Sequence, residues 1–360
     1  MTDNSTNAGV RALNGFALQR NTALFILLDE FNSKFKDKKY FLSLEHLDDF
    51  LFCFLDKEEK SILIEAYQSK KKSSSAWLIS LDFTDIIKKL LETGNKLLKD
   101  PIPKIRTYNH NLYFISNSAI SLKKNKSNHN VTINEENRLV AFTDLNIEIQ
   151  EKFKSKFKSK LSSELEDELS NLKFNYVALT TTDKEQQNQL VGKLEEVFKE
   201  DIIDYRAAVN TLITLFRGME TTYNQGGTAK LLDKTKRVSS DDIHSTIKTI
   251  TTKSKAFDYW RKEIKTITKV LNIKPWEKDS FKLYFESAFE LFKSMIEIEH
   301  QKIYKFVEKN YINCKSTQEE EDVLELFEKF KFENTTTFED LNLKAIIYAA
   351  YFESINKREP

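Results

Sequence analysis

EHLDDFLFCFLDKEEKSILIEAYQSKKKS, residues 45 to 73, contains two apolar runs joined by a polar link. Phe50 to Phe54 is unbroken in its apolarity and rich in aromatics, the pattern of a strand. Ser61 to Gln68 is a second strand, and Asp56 to Lys60 is the turn that closes the pair into a hairpin. Polar groups collect at one end of this hairpin. Asp48 and Asp49 head the first strand, while Glu65, Gln68 and Lys70 gather where the run Ile62 to Ile64 gives out on the second. Side chains two apart on a strand share a face, so Gln68 and Lys70 point one way and Tyr67 and Ser69 the other. Closing the hairpin through its turn sets Asp49 across from Gln68, which puts a carboxylate, an amide oxygen and an ammonium in one pocket.

That set suits phosphodiester hydrolysis. Mg²⁺ takes oxygen ligands, keeps several waters and needs only one or two protein carboxylates, so Asp49 and the carbonyl oxygen of Gln68 suffice. A bound ion activates water and neutralises charge growing on phosphate. A lysine beside that water orients it or stabilises the developing charge, the role expected of Lys70. A one-residue slip in register exchanges faces, so Asp48 remains an alternative to Asp49 as the ligand. Glu65 supports the site only if a bulge turns it inward. The bland alternative is a solvated turn at Asp48-Asp49 and an exposed charge run from Lys70 to Lys72.

Outward from the hairpin, Tyr40 to Leu44 is a further strand, and Phe16 to Phe31 carries apolar residues at the spacing of an amphipathic helix entered through Asn14-Gly15. Downstream come a helix over Phe83 to Leu98, stopped by Pro101 and Pro103, and a strand over Leu112 to Ile115. A long helix over Asp144 to Leu172, a strand over Phe174 to Thr180 and helices from Lys184 follow. The order helix, three strands, helix, strand predicts an α/β layer in the first half. Beyond Gly226-Gly227 only helical patterns are found. The expected organisation is therefore an α/β domain over residues 1–227 and an all-α region over 228–360. Phe281, Tyr284, Phe285, Ala288, Phe289, Phe292, Met295 and Ile296 form a stripe at helical spacing that is read as core.

Composition is consistent with this picture. In 360 residues there are 27 Phe and 13 Tyr but only 7 Gly and 4 Pro, which favours a helix-rich protein over a loop-rich or all-β one. Cys53 and Cys314 lie far apart without metal-ligand spacing and are read as small buried hydrophobes. A net charge of +1 gives no global attraction to nucleic acid, so a DNA site must be a local patch. Lys71 and Lys72 are candidates for contacts with the DNA backbone; Lys123, Lys124, Lys126 and the run Lys152 to Lys160 are the other basic clusters. No run approaches the roughly 20 apolar residues of a membrane span, and the polar start MTDNSTNAGV predicts a cytoplasmic protein without a membrane partner.

Gly15-Phe16 with Gln19, Glu45 with Asp48-Asp49-Phe50, Tyr67-Gln68-Ser69-Lys70 and Trp77 together resemble the double-stranded DNA nuclease domain of CBASS effectors, which is similar in turn to the nuclease subunit of Lamassu anti-phage systems. The resemblance is strongest over Ala12 to Trp77, with echoes through Ile115-Ser116-Asn117 and Phe174 to about Gly227. These proteins belong to the PD-(D/E)xK restriction-endonuclease-like superfamily, where an Asp on one strand and (D/E/Q)-x-K on the next bind the metal and activate water. The resemblance implies a restriction-like α/β fold and a Mg²⁺- or Mn²⁺-dependent DNA endonuclease. Asp49 and Gln68 would be its metal ligands and Lys70 its catalytic lysine, with Gln19, Glu45, Asp48 and Glu65 as supporting residues. It further implies an antiviral effector that acts as a homo-oligomer. In a Lamassu-like arrangement an SMC-type ATPase complex with an accessory subunit restrains it; in a CBASS-type one an α/β sensor does. The rival expectation is a nuclease-fold adaptor without activity, for which Gln68 in place of an acid is the argument.

Overall fold

The computed structural model describes residues 8–46, 48–72, 75–125, 128–202, 204–220, 231–292, 298–314 and 319–356. The chain forms two compact units. The first comprises residues 1–197 and 205–244, and the second comprises 198–204 and 245–360.

The first unit opens with α1 (Ala8–Asp29), followed by a π-helical turn at Phe31–Phe35. The helix runs straight through Asn14-Gly15, which was expected to be its entry turn. An Asn-Gly pair permits a turn without forcing one, and helix on both sides carries it through at a cost of about 1 kcal/mol. Nor is α1 amphipathic in its later turns: Arg20 to Leu28 are buried all round, as expected for a helix with protein on both sides.

The hairpin and its neighbours are β1 (Lys39–His46), β2 (Asp48–Leu55) and β3 (Ser61–Lys70), antiparallel in succession. After the short β4 (Trp77–Leu78), α2 (Leu81–Lys99) crosses to β5 (Lys104–Ser116), which pairs parallel to β3. Ser80 caps α2 by accepting the Phe83 N–H, and Pro101 follows its end. The strands β6 (Ile120–Leu122), β7 (Val131–Ile133) and β8 (Leu139–Ala141) come next. The long helix expected over Asp144 to Leu172 is instead α3 (Ile147–Lys154), α4 (Ser163–Asp167) and short 3-10 turns. Asn146 and Ser162 restart the helix by accepting the N–H groups of Glu148 and Leu165, the competition with continuous helix that such residues offer. Strand β9 (Leu172–Tyr176), α5 (Asp183–Phe198), α6 (Tyr205–Glu220) and β10 (Val238–Ser239) complete the sheet and its covering.

The main sheet has seven strands in the order β10-β1-β2-β3-β5-β9-β8. Strand β9 is parallel to β5, whereas β8 is antiparallel to β9. A smaller sheet of order β4-β6-β7 stands beside it. One face of the main sheet presents Leu51, Cys53, Ile64, Ala66, Leu112 and Phe114 to Phe83, Ile87, Leu90 and Leu91 of α2. The other presents Phe50, Phe52, Phe54 and Tyr67, with Phe35 of the π-turn packed on Phe52 and Phe54. A two-residue strand such as β10 is too short to show alternation. It pairs with Phe41 and Leu42 of β1, so the first unit reaches His244 and the division falls there rather than at Gly227.

Gly94 lies inside α2, where a Cβ would sit 2.3 Å from Glu168 Oε2 and 3.0 Å from Leu112 Cδ1. Glu168 cannot yield easily, because His110 Nε2 lies 2.7 Å from its carboxylate and Asn171 donates to it at 3.0 Å, with His110 and Glu168 both buried. Gly94→Ala is therefore expected to destabilise the first unit by about 1–3 kcal/mol, although alanine favours helix. Thermal unfolding checks this; an unchanged or raised midpoint would contradict the close packing.

The second unit holds most of α7 (Ser240–Val270), then α8 (Lys278–Leu291), α9 (Ile298–Asn310), α10 (Glu319–Glu333) and α11 (Asp340–Asn356). Leu343 and Ala345 to Ala350 of α11 are wholly buried, and Phe281, Phe285, Phe289 and Phe292 belong to the same core. The Phe stripe is thus internal packing, as read; Met295 and Ile296 lie outside the described residues. No described helix is long and apolar enough to cross a membrane.

Candidate active site

Past the Phe50–Tyr67 pair the β2–β3 ladder ends, and one more step of the same register sets Asp49 opposite Gln68. Relieved of a strand partner on that side, the Ser69 N–H donates to Asp49 Oδ2 at 2.7 Å. Lys70 Nζ reaches the same oxygen at 3.3 Å. A carboxylate that accepts a backbone N–H and an ammonium is fixed in orientation, and bonds to a charged acceptor are the stronger kind. Asp49 is 12% exposed in its side chain and Lys70 36%, while Gln68 is buried at 8%. Asp49 and Gln68 are therefore sunk at the end of the β2–β3 ladder, with the lysine rising to solvent beside them.

Pairing with β5 extends the site. Gln68 lies beside Phe114 and Lys70 beside Ser116 in parallel register. Ser116 Oγ accepts from Trp77 Nε1 at 2.9 Å, which ties the segment after β3 to the end of β5. Lys72 is engaged in the same way: its ammonium donates to the Ala76 carbonyl at 3.2 Å and lies 4.9 Å from the centre of the Trp77 ring. Lys71 is exposed.

Glu65 faces the opposite side of the sheet. The β2–β3 register is unbroken from Phe50 to Phe54, with its one shift at Leu55, so no bulge turns Glu65 towards Gln68. It is buried at 3% and accepts from Lys34 Nζ at 2.6 Å, Tyr67 Oη at 3.0 Å and Tyr113 Oη at 3.2 Å. Burial opposes the Lys34 ammonium, but Glu65 and Glu30 outweigh it and hold its pKa above the ordinary lysine value. Burial, then the adjacent Glu65 charge, pushes the Tyr67 and Tyr113 phenols well up, so both stay protonated donors. The rings of Phe50, Tyr67 and Tyr113 stack across three strands at 4.7 and 4.5 Å. This ladder backs the strands that carry Asp49, Gln68 and Lys70. Its partner Lys34, supplied by the π-turn, was missed in the sequence because nothing there links it to Glu65.

Gln19 is half-buried on α1, one turn before Thr22, whose hydroxyl lies 3.5 Å from that of Ser69. Glu45 and Asp48 are placed by backbone alone: Glu45 falls between the Leu44–Phe50 and His46–Asp48 pairs. Their side chains lie outside the described residues, as does that of His46.

No family model, curated protein or solved structure matches this chain. Asp49 and Gln68 offer hard oxygen donors from adjoining strands on one face, a donor set that fits Mg²⁺ or Mn²⁺ with water completing the shell. The second unit has a different group, Cys314, Asp322 and Glu325, whose ligand atoms lie within 4.8 Å of one another. Burial pushes the Cys314 thiol up to about 11, and Tyr351 donates to Asp322 at 2.8 Å. A protonated thiol is a poor ligand for a hard cation, so this group is not the expected centre. Cys53, pushed up to about 12 by burial and donating to Ser61 Oγ, is a buried hydrophobe as read.

Three of the five lysines from Lys152 to Lys160, which span the end of α3 and the segment after it, are engaged within the molecule. Lys152 donates to the Lys123 carbonyl, Lys158 pairs with Asp85, and Lys154 lies 3.5 Å from Glu166. Phe153 and Phe157 beneath them are buried. That face is better described as solvated and self-paired than as a phosphate-binding surface.

Proposed function

We propose that the first unit is a metal-dependent DNA nuclease of the restriction-endonuclease-like kind. The observation that carries this reading is the convergence of Asp49 from β2 with Gln68 and Lys70 from β3 on one sheet face, Asp49 and Lys70 being 3.3 Å apart. The superfamily uses the same disposition, an Asp on one strand and (D/E/Q)-x-K on the next. Asp49 and Gln68 would hold Mg²⁺ or Mn²⁺, which when bound lowers the pKa of water and neutralises phosphate charge. The Ser69 N–H holds the Asp49 carboxylate in place. Lys70 presents its ammonium to the scissile phosphate, where it orients the attacking water by hydrogen bonding and stabilises negative charge on the phosphoryl oxygens. The half-exposed lysine above two sunken ligands suits a substrate that approaches from solvent.

We assign the protein to antiviral defence as an effector, in a Lamassu-like arrangement where an SMC-type complex restrains it and self-association releases its activity. The helical second unit supports that arrangement over a CBASS-type α/β sensor. A nuclease without sequence preference also needs restraint to spare its host. The inert-adaptor reading has one observation in its favour, since the direct Lys70–Asp49 pair is also what a structural salt bridge looks like.

Metal titration separates the two. Manganese binding to the wild-type protein, followed by calorimetry or electron paramagnetic resonance, is expected to disappear in Asp49→Ala. In Gln68→Glu it should tighten about tenfold or more, because a second carboxylate replaces a neutral amide. Binding unaffected by either change would remove the metal centre from these residues.

A further inference from the structure

The Asp49 carboxylate takes two donors on one oxygen, the Ser69 N–H at 2.7 Å and the Lys70 ammonium at 3.3 Å, both on Oδ2. The two donors differ in how firmly they are held. The Ser69 N–H belongs to the backbone at the end of β3, where the chain is pinned on either side: Lys70 pairs with Ser116 of β5, and the Lys72 carbonyl accepts from Ser118 Oγ at 2.8 Å. The Lys70 side chain is 36% exposed against 12% for Asp49, and Asp49 is the one hydrogen-bond partner of its ammonium among the described residues. A four-carbon stem with a single anchor swings to solvent by side-chain torsion alone, without movement of the strand. The lysine is therefore the movable member of the pair and the carboxylate the fixed one.

Gln68 stands differently towards a cation. It is 8% exposed, yet no described residue hydrogen-bonds its side-chain amide. A buried amide without a partner carries a desolvation cost that a ligand relieves, so its oxygen is ready to coordinate. Asp49 is not open on the same terms. A divalent ion held by either oxygen of that carboxylate faces the Lys70 ammonium at close range, and like charges in a partly buried site repel more strongly than in water. Ion and ammonium thus compete for one carboxylate, because each neutralises it and neither gains from the other's presence. The cost of loading the site falls on the Lys70–Asp49 pair rather than on Gln68.

We propose that Lys70 latches the metal site: its ammonium holds the Asp49 carboxylate against divalent cations, and the site loads only as Lys70 swings off Asp49. The inference rests on the nuclease reading, which makes Asp49 and Gln68 the ligands, and adds regulation of that same site. Metal affinity is set below what the two ligands alone would give. The displaced ammonium is then at the disposal of a phosphate arriving from solvent, so the side chain that restrains metal loading is the one that meets the substrate.

The test follows binding of Mn²⁺ alone to the full-length protein, by calorimetry or electron paramagnetic resonance, so that it reads the ligands rather than cleavage. Lys70→Met keeps the stem and removes the charge. It should bind Mn²⁺ about threefold to tenfold more tightly than wild type, roughly the factor that a partly buried ion pair is worth. Lys70→Arg keeps the charge and offers a carboxylate two N–H groups, so it should bind no more tightly than wild type. Lys71→Met removes an exposed charge one residue on and should change the affinity by less than about twofold, because solvent and salt screen it. The tightening should vanish when Asp49→Ala is added. Thermal unfolding checks that each variant is folded, and Lys70→Gln takes the place of Lys70→Met if that variant melts early. An affinity unchanged or weakened without the Lys70 charge, with uptake still lost in Asp49→Ala, overturns the latch and leaves the metal centre and the nuclease reading standing. Equal tightening in Lys70→Arg or in Lys71→Met also overturns the latch, since the cause would not be the Lys70–Asp49 pair. Uptake that is indifferent to Asp49→Ala, or absent from every protein, overturns both the latch and the centre it guards.

Discussion

Lys70→Ala is expected to reduce Mg²⁺-dependent DNA cleavage by roughly 10²- to 10³-fold, the usual cost of removing one group that stabilises charge in a transition state. The loss should fall on kcat more than on KM, because an ammonium aimed at developing charge acts mainly in the transition state. Stability should hardly move. Lys70 is 36% exposed and its pair with Asp49 lies at the mouth of the site, where a salt bridge contributes little. Asp49 would keep its bond from the Ser69 N–H, so its carboxylate stays in position. A Lys70→Ala protein that melts as wild type does and cleaves as fast would return the lysine to a structural role. Lys70→Arg keeps the charge but changes donor geometry, so it should recover only part of the activity.

The second large effect is on stability and arises on the opposite face of the same strand. Glu65 is a buried carboxylate whose charge is met by Lys34, with two phenols supplying the remaining hydrogen bonds. Removing one partner of a buried pair leaves an uncompensated charge, which is costlier than the pair itself was favourable. The Lys34 side chain keeps 26% exposure, so the lower end of the usual range applies. Lys34→Ala should destabilise the first unit by about 3 kcal/mol, a fall in midpoint of roughly 6–12 °C for a unit of this size. The double change Lys34→Met with Glu65→Gln removes both charges and keeps an acceptor for Tyr67 and Tyr113. It should regain most of the loss. Equal destabilisation of the double and single variants would mean that packing of the Lys34 stem, rather than charge, holds the π-turn to the sheet.

The hairpin and its site were legible in the sequence because strand alternation and turn length are local. Phe50 to Phe54, the turn at Asp56 to Lys60 and the Gln68/Lys70 spacing together place Asp49 opposite Gln68 without any long-range information. Other features depended on contacts between distant residues. The partner of Glu65 comes from a π-turn 31 positions earlier, and no periodicity reveals it. The parallel pairing of β3, β5 and β9 is set by crossovers and leaves no mark on the short apolar runs themselves. Strand β10 is two residues long and gains its meaning only from β1, so the boundary read at Gly227 fell short of His244. The helix expected over Asp144 to Leu172 failed for a local reason that composition hides: Ser162 caps more readily than it continues a helix.

The most direct test of the central claim is incubation of the purified protein, as monomer and as any oligomer it forms, with linear and closed-circular plasmid in Mg²⁺ or in EDTA, alongside Asp49→Ala and Lys70→Ala. The expected result is degradation by the wild type that requires the metal, is lost in both variants and includes the closed circle, which has no end to attack. DNA left intact by every wild-type state, or cut equally by wild type and both variants, would contradict it.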